Sequence, residues 1–104
     1  MENSRIPLVS ILMTAYNRER FIQEAIESVL VSTFTEFELI IVDDNSQDNT
    51  YLIAQKYARE DHRIRLYQNE KNIGQFRNRN KAAELAKGMY LMYADSDDIF
   101  FPDA

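Results

Sequence analysis

Met89-Tyr90-Leu91-Met92-Tyr93-Ala94-Asp95-Ser96-Asp97-Asp98 is the stretch on which the rest of the chain turns. Its first six residues follow Gly88, are mostly apolar or aromatic, and read as a short buried strand. Three carboxylates then fall within four residues. Side chains alternate along an extended backbone, so Asp95 and Asp97 are expected on the same side. Two carboxylates about 4 Å apart repel by about 4 kcal/mol at an effective dielectric near 20. Water, an arginine or a divalent cation has to offset that repulsion. Hard cations such as Mg²⁺ and Mn²⁺ take carboxylate oxygens and keep positions open for phosphate. A solvated acidic turn has the same local sequence, so the surroundings must decide.

The chain has 104 residues, enough for a single small domain over residues 1–104. Hydrophobic residues make up 45%, as in a globular protein, and the net charge of −5 argues against a nucleic-acid surface. Cysteine is absent, which excludes disulfides and thiolate chemistry and fits a reducing compartment. The first residues lack a signal-peptide pattern, and no apolar run approaches the ~20 residues of a membrane span. A cytoplasmic location is expected, with membrane association of a longer protein left open. The sequence stops just after its most acidic run, which reads as a cut inside a larger protein.

Outward from the opening stretch, the same pattern recurs. Leu8–Met13 reads as a buried first strand ending in Thr14-Ala15-Tyr16-Asn17, with Asn17 a good helix N-cap. Phe21, Ile22, Ala25, Ile26, Val29 and Leu30 recur at helical spacing and predict a helix over about 18–31. Phe37–Val42 reads as a second strand running into Asp43-Asp44-Asn45-Ser46, followed by a helix over Thr50–Arg59 with Asp48 near its positive end. His62–Gln68 alternates, placing Ile64 and Leu66 on one face and Arg65 and Tyr67 on the other. A third helix is expected over Gln75–Lys87, with Phe76, Ala82, Ala83 and Ala86 apolar and Gly88 at its C′ position.

The order β-α-β-α-β-α-β implies a mainly parallel, Rossmann-like α/β sheet with helices on both faces. In such sheets ligands bind beyond the carboxyl ends of the strands. Polar clusters sit at three of those ends: Thr14–Asn17, Asp43–Ser46 and Asp95–Asp98. Neither of the two glycines, Gly74 and Gly88, opens a dinucleotide fingerprint or a P-loop. A bound pyrophosphate would therefore need a metal on the carboxylates and a cation such as Arg79 or Arg77. Tyr16 offers a flat face to a base, Asp44 an acceptor for a base N–H, and Thr14 a small hydroxyl. Together these residues suit a metal-chelated nucleoside diphosphate.

Val9–Asn17, Phe37–Ser46, Arg79-Asn80 and Tyr93–Asp98 resemble the family-2 glycosyltransferases of the GT-A fold, over nearly all of the chain. The resemblance implies a four-stranded sheet in the order 3-2-1-4 and the nucleotide-sugar-binding part of an inverting enzyme. It places Thr14 and Tyr16 at the nucleoside, Asp44 on the base (commonly uracil), and Arg79 near the donor. Asp95 and Asp97 match the family's Asp-x-Asp, with Asp95 near the ribose and Asp97 on Mn²⁺ or Mg²⁺. Asp43 is expected to orient its loop. The implied partners are a UDP-sugar donor and a sugar or glycan acceptor. The acceptor half and the general base lie downstream in this family, so the 104-residue chain alone is expected not to transfer sugar.

Three other classes compete. A signalling receiver with an acidic Mg²⁺ pocket needs an acidic pair after the first strand, where this chain has Thr-Ala-Tyr-Asn, and a phosphoacceptor Asp after the third, where it has Asn69. A nucleotidyltransferase shares the layered plan but wants a glycine- and arginine-rich loop after the first strand, which is absent, and a non-catalytic module that pairs with itself through an uncovered edge is the third.

Overall fold

The computed structural model describes residues 9–31 and 36–94. Seven elements alternate: β1 (Val9–Ala15), α1 (Ile22–Leu30), β2 (Phe37–Asp43), α2 (Thr50–Glu60), β3 (Ile64–Gln68), α3 (Gln75–Leu85) and β4 (Tyr90–Tyr93). The sheet order is β3-β2-β1-β4 and every pairing is parallel. The doubly wound arrangement expected from the alternation is therefore present, with helices on both faces.

The two faces follow from the period of two along β1 and β2. Ile11 and Met13, with Leu39 and Ile41, pack against Ile22, Ile26 and Val29 of α1 and Ala54 of α2. Leu12, Ile40 and Val42 point the other way and pack against Ala82 of α3. Ile11, Ile26, Leu39 and Ile41 are wholly excluded from water. Burying each such side chain contributes about 1.5–3 kcal/mol. Ile64 and Leu66 of β3 join the first face and Tyr67 the second, as their alternation predicts.

Several local expectations need correction. β4 is not a buried strand: Tyr90, Leu91 and Tyr93 are 60%, 47% and 49% exposed, and only Met92 joins the core from it. The helices pack over the central strands, and β4 lies at the edge of the sheet, paired with β1. An apolar run looks the same in sequence whether or not something covers it. Phe76 is 78% exposed, and the buried residues of α3 are Asn78 and Ala82. α1 starts at Ile22 behind Phe21, and Asn17 is not its cap. Asn17 instead adopts a left-handed backbone, φ 54°, in the preceding loop.

Gly88 is not a helix C′ residue either. α3 ends at Leu85, Ala86 leaves it in extended form, and the chain bends at Gly88 and Met89 before β4. The reason for glycine is contact: a Cβ at position 88 would lie 2.7 Å from Ser10 Oγ, 2.8 Å from Ser10 N and 2.9 Å from Val9 C. Two of those atoms are backbone, which cannot step aside as a side chain can. Gly88→Ala is expected to cost about 2–3 kcal/mol. Urea unfolding should show a lower midpoint, and an unchanged midpoint would contradict the close approach.

That approach belongs to a buried polar cluster around Glu38. Glu38 Oε2 accepts from Ser10 Oγ (2.6 Å) and Lys87 N–H (2.7 Å), and Oε1 accepts from Arg65 Nη1 (2.7 Å). Arg65 also donates to Leu85 O (2.9 Å) and Tyr67 Oη (2.7 Å), and Gly88 N–H donates to Ser10 Oγ (2.8 Å). One carboxylate thus fastens β2 to β1, β3 and the α3–β4 connection. Burial pushes the Glu38 carboxyl up, but the bonds from Ser10, Lys87 and Arg65, with the Arg65 charge, outweigh it and hold the group below its ordinary value.

Candidate nucleotide-sugar site

Parallel strands deliver all their carboxyl ends to one rim of the sheet. Two loops at this rim are stitched together. Asn17 N–H donates to Ser46 Oγ (2.8 Å), and Gln47 N–H donates back to Asn17 Oδ1 (2.8 Å). Arg18 N–H donates to Thr50 Oγ1 (2.7 Å), and Asn49 N–H to Glu19 Oε1 (3.0 Å). Asp48 accepts from Thr50 N–H (2.9 Å) and Glu19 N–H (3.3 Å). Burial raises the Asp48 carboxyl, and the bonds from Thr50 and Glu19 more than reverse this, leaving it below the usual range.

Asp43 closes the second loop on itself, accepting from Ser46 N–H (2.9 Å), Ser46 Oγ and Gln68 Nε2 (3.2 Å). Asn45, next in the loop, needs the left-handed region, φ 61°. Such a conformation suits a short polar side chain that bonds locally.

The sequence-derived residues fall as follows. Thr14 lies half-buried in β1, on the α3 face with Leu12 and opposite Val42. Tyr16 follows the end of β1 with its side chain 40% exposed, its carbonyl held by Arg18 Nη1 (3.0 Å). Asp44 is 2% exposed, and its carboxylate faces the loop that leads into α3. Oδ1 accepts from Asn69 Nδ2 (2.8 Å) and Ile73 N–H (2.9 Å), and Oδ2 from Gly74 N–H (2.9 Å). Arg79 lies on α3 with its guanidinium carbon 5.0 Å from the centre of the Tyr93 ring, a cation–π contact at the carboxyl end of β4. Arg77 is exposed. Thr14, Asp44 and Arg79 are therefore on the α3 side of one rim.

Ala94 N–H donates to Leu12 O (2.9 Å), so β4 reaches the same rim. Asp95 and Asp97 lie outside the described residues. Among the described residues, no group of three or more His, Cys, Asp or Glu is placed to hold a metal ion. Asp43 and Asp44 turn their carboxylates to protein donors.

Sequence reasoning missed the support behind Asp44. Asn69 and Asn78 are 4% and 1% exposed. Asn69 Nδ2 donates to Asn78 Oδ1 (2.8 Å) as well as to Asp44, and Asn78 Nδ2 donates to Val42 O (2.9 Å). Lys81 Nζ donates to Asn69 Oδ1. Polar residues on a helix ordinarily read as its wet face, so periodicity gave no signal for Asn78.

A doubly wound parallel sheet with polar side chains gathered at its carboxyl rim defines the open α/β class, whose ligands bind beyond the carboxyl ends of the strands. The chain belongs to glycosyl transferase family 2, whose profile matches residues 10–104. It is 41% identical over 98 residues to an uncharacterized glycosyltransferase of Methanocaldococcus jannaschii, MJ1057, with 92% of this chain and 34% of that protein covered. It is 42% identical over 93 residues to the Escherichia coli UDP-Glc:alpha-D-GlcNAc-diphosphoundecaprenol beta-1,3-glucosyltransferase WfgD, covering 89% and 36%. The crystal structure of S. aureus TarS residues 1–349 in complex with UDP-GlcNAc superposes with a TM-score of 0.85 at 33% identity, over 92% of this chain and 28% of that one. The chain thus spans about a third of the length of the curated relatives it matches. Among the described residues, no helix is long and apolar enough to cross a membrane.

Proposed function

We propose that this chain is the donor-binding part of an inverting glycosyltransferase that takes a UDP-sugar and passes the sugar to an acceptor hydroxyl. The observation that carries the reading is the gathering of Tyr16, Asp44 and Arg79 at one rim of a parallel sheet. UDP-Glc and UDP-GlcNAc in the names of WfgD and the TarS complex support a uridine donor. Tyr16 presents an exposed ring on which a base stacks, and Asp44 accepts its N–H. Thr14 lines the nucleoside from β1. Arg79, steadied by Tyr93, sets a positive charge toward the diphosphate. Asp95 holds the ribose, and Asp97 supplies the hard oxygen for Mn²⁺ or Mg²⁺. Such an ion, when bound, offsets the charge that develops on a departing diphosphate. The general base and the acceptor contacts belong to the part of the enzyme that the relatives carry beyond this region.

Calorimetric titration of UDP with and without Mn²⁺ tests the reading. Mn²⁺ is expected to tighten UDP by about tenfold or more, equivalent to about 1.4 kcal/mol. Asp97→Ala should abolish that gain while leaving metal-free binding in place. Equal heats for both proteins would remove Asp97 from the site.

The exposed side chains of Tyr90, Leu91 and Tyr93 on edge strand β4 favour a second property, self-association of the isolated 104-residue chain. Light scattering is expected to show a mass that rises with concentration. A strict monomer at millimolar protein would exclude it.

A further inference from the structure

We propose that Ser46 is a positioning residue for the nucleoside: through it the buried Asp43 holds the Tyr16 ring where it receives the base. The inference rests on the reading of Tyr16 as the stacking surface and adds to it the group that aims the ring. Tyr16 is the first residue past β1 and lies beyond the last rung of the sheet. The direction of its side chain is therefore set by the peptide planes on either side of its Cα.

The plane before Tyr16 is closed by the neighbouring strand, since Ala15 O accepts from Asp44 N–H (2.8 Å). The plane after it is held at both polar ends. Tyr16 O accepts from Arg18 Nη1 (3.0 Å), and Asn17 N–H donates to Ser46 Oγ (2.8 Å). Asn17 has φ 54°, a region that residues other than glycine enter at a cost. Turning the plane over would relieve Asn17 by returning it to a negative φ, and would point its N–H away from Ser46. The hydroxyl acceptor opposes that turn.

Ser46 can oppose it because its own direction is settled. A hydroxyl carries one proton and two lone pairs. Ser46 Oγ gives its proton to Asp43 Oδ1, and Ser46 N–H donates to Asp43 Oδ2 (2.9 Å). With the proton committed, a lone pair of Oγ is what faces Asn17. Asp43 is itself wholly excluded from water at the end of β2. The ring is thus tied to the sheet's interior through Asn17, Ser46 and Asp43 in turn.

The test is calorimetric titration of uridine, and of UDP with Mn²⁺, against the full-length protein and its variants. Tyr16→Ala is expected to weaken uridine by about tenfold, the loss of one stacked base. Ser46→Ala should weaken uridine several-fold and UDP by the same factor, because the hydroxyl is spent on Asp43 and Asn17 rather than on phosphate. Ser46→Thr keeps the hydroxyl and should restore wild-type affinity. Ser46→Cys, a poor acceptor in nearly the same volume, should match Ser46→Ala and decides the matter if the alanine variant does not fold. Added to Tyr16→Ala, Ser46→Ala should change nothing further, whereas a merely structural loss would weaken binding again on that background. Unchanged uridine affinity in the folded Ser46→Ala or Ser46→Cys variant, failure of Ser46→Thr to restore it, or additive losses in the double variant overturns the role of Ser46. If Tyr16→Ala leaves uridine affinity intact, the stacking reading fails and takes this inference with it. A wild type that binds neither ligand defeats the donor-binding reading itself.

Discussion

Glu38→Ala is expected to lower stability by about 3 kcal/mol at pH 7. The substitution removes the acceptor for Ser10 Oγ, Lys87 N–H and Arg65 Nη1 in one step. Breaking a buried pair from one side costs about 3–5 kcal/mol because the other charge is left without a partner. Here the lower end applies, since the Arg65 side chain keeps 24% of its surface in water while that of Glu38 keeps 8%. The pH dependence follows from the direction of the shift. A carboxyl held below its ordinary value of 4.5 contributes stability that is complete above that value and is lost as pH falls through the lower, folded one. The gap between wild type and Glu38→Ala in urea unfolding should therefore be full at pH 7 and narrow well below pH 4.5. A gap that persists unchanged in acid would show that the loss comes from packing and not from the carboxylate.

Asp44→Ala is expected to act on stability and binding together. It strands Asn69 Nδ2, Ile73 N–H and Gly74 N–H. Each buried donor left unmade costs about 1–3 kcal/mol. Water admitted by the smaller side chain recovers part of this, so a net loss of about 3 kcal/mol is expected. The damage should be local: amide hydrogen exchange at Ile73 and Gly74 speeds up by orders of magnitude, while Ile11 and Leu39 in the central strands change only with global stability. UDP affinity should fall by about a hundredfold at least, from the lost base contact and the loosened start of α3. If exchange at Ile73 and Gly74 rises while UDP affinity holds, Asp44 organises its loop without touching the base.

These two residues also show what a sequence can and cannot disclose. The alternation of apolar strands and amphipathic helices fixes a parallel sheet, because few connections between such elements are sterically allowed. The polar ends of the strands then locate the rim. Glu38 was visible as a lone charge inside Phe-Glu-Leu-Ile-Ile-Val, and a charge within a buried run demands a partner. Its partners, Ser10, Arg65 and Lys87, lie 27 to 49 residues away, so no local pattern points to them. Asn69 and Asn78 were hidden for a different reason, since asparagine in a loop or on a helix has an ordinary solvent-facing explanation. Gly88 was misread because a glycine after a helix suggests a cap, whereas the constraint comes from Ser10, on a strand at the other end of the sequence. The exposure of β4 depends on what does or does not cover it, which hydropathy cannot express.

The stitching of Asn17, Arg18 and Glu19 to Ser46, Gln47, Asp48, Asn49 and Thr50 limits how this region can change length. An extra residue on one side would slide every rung past its mate, and the first turn of α2 would lose the serine-and-threonine ladder that seats it. Insertions here should be tolerated only as matched pairs, one on each side, which makes the seam a poor place for tags or permuted termini although most of its residues reach the surface.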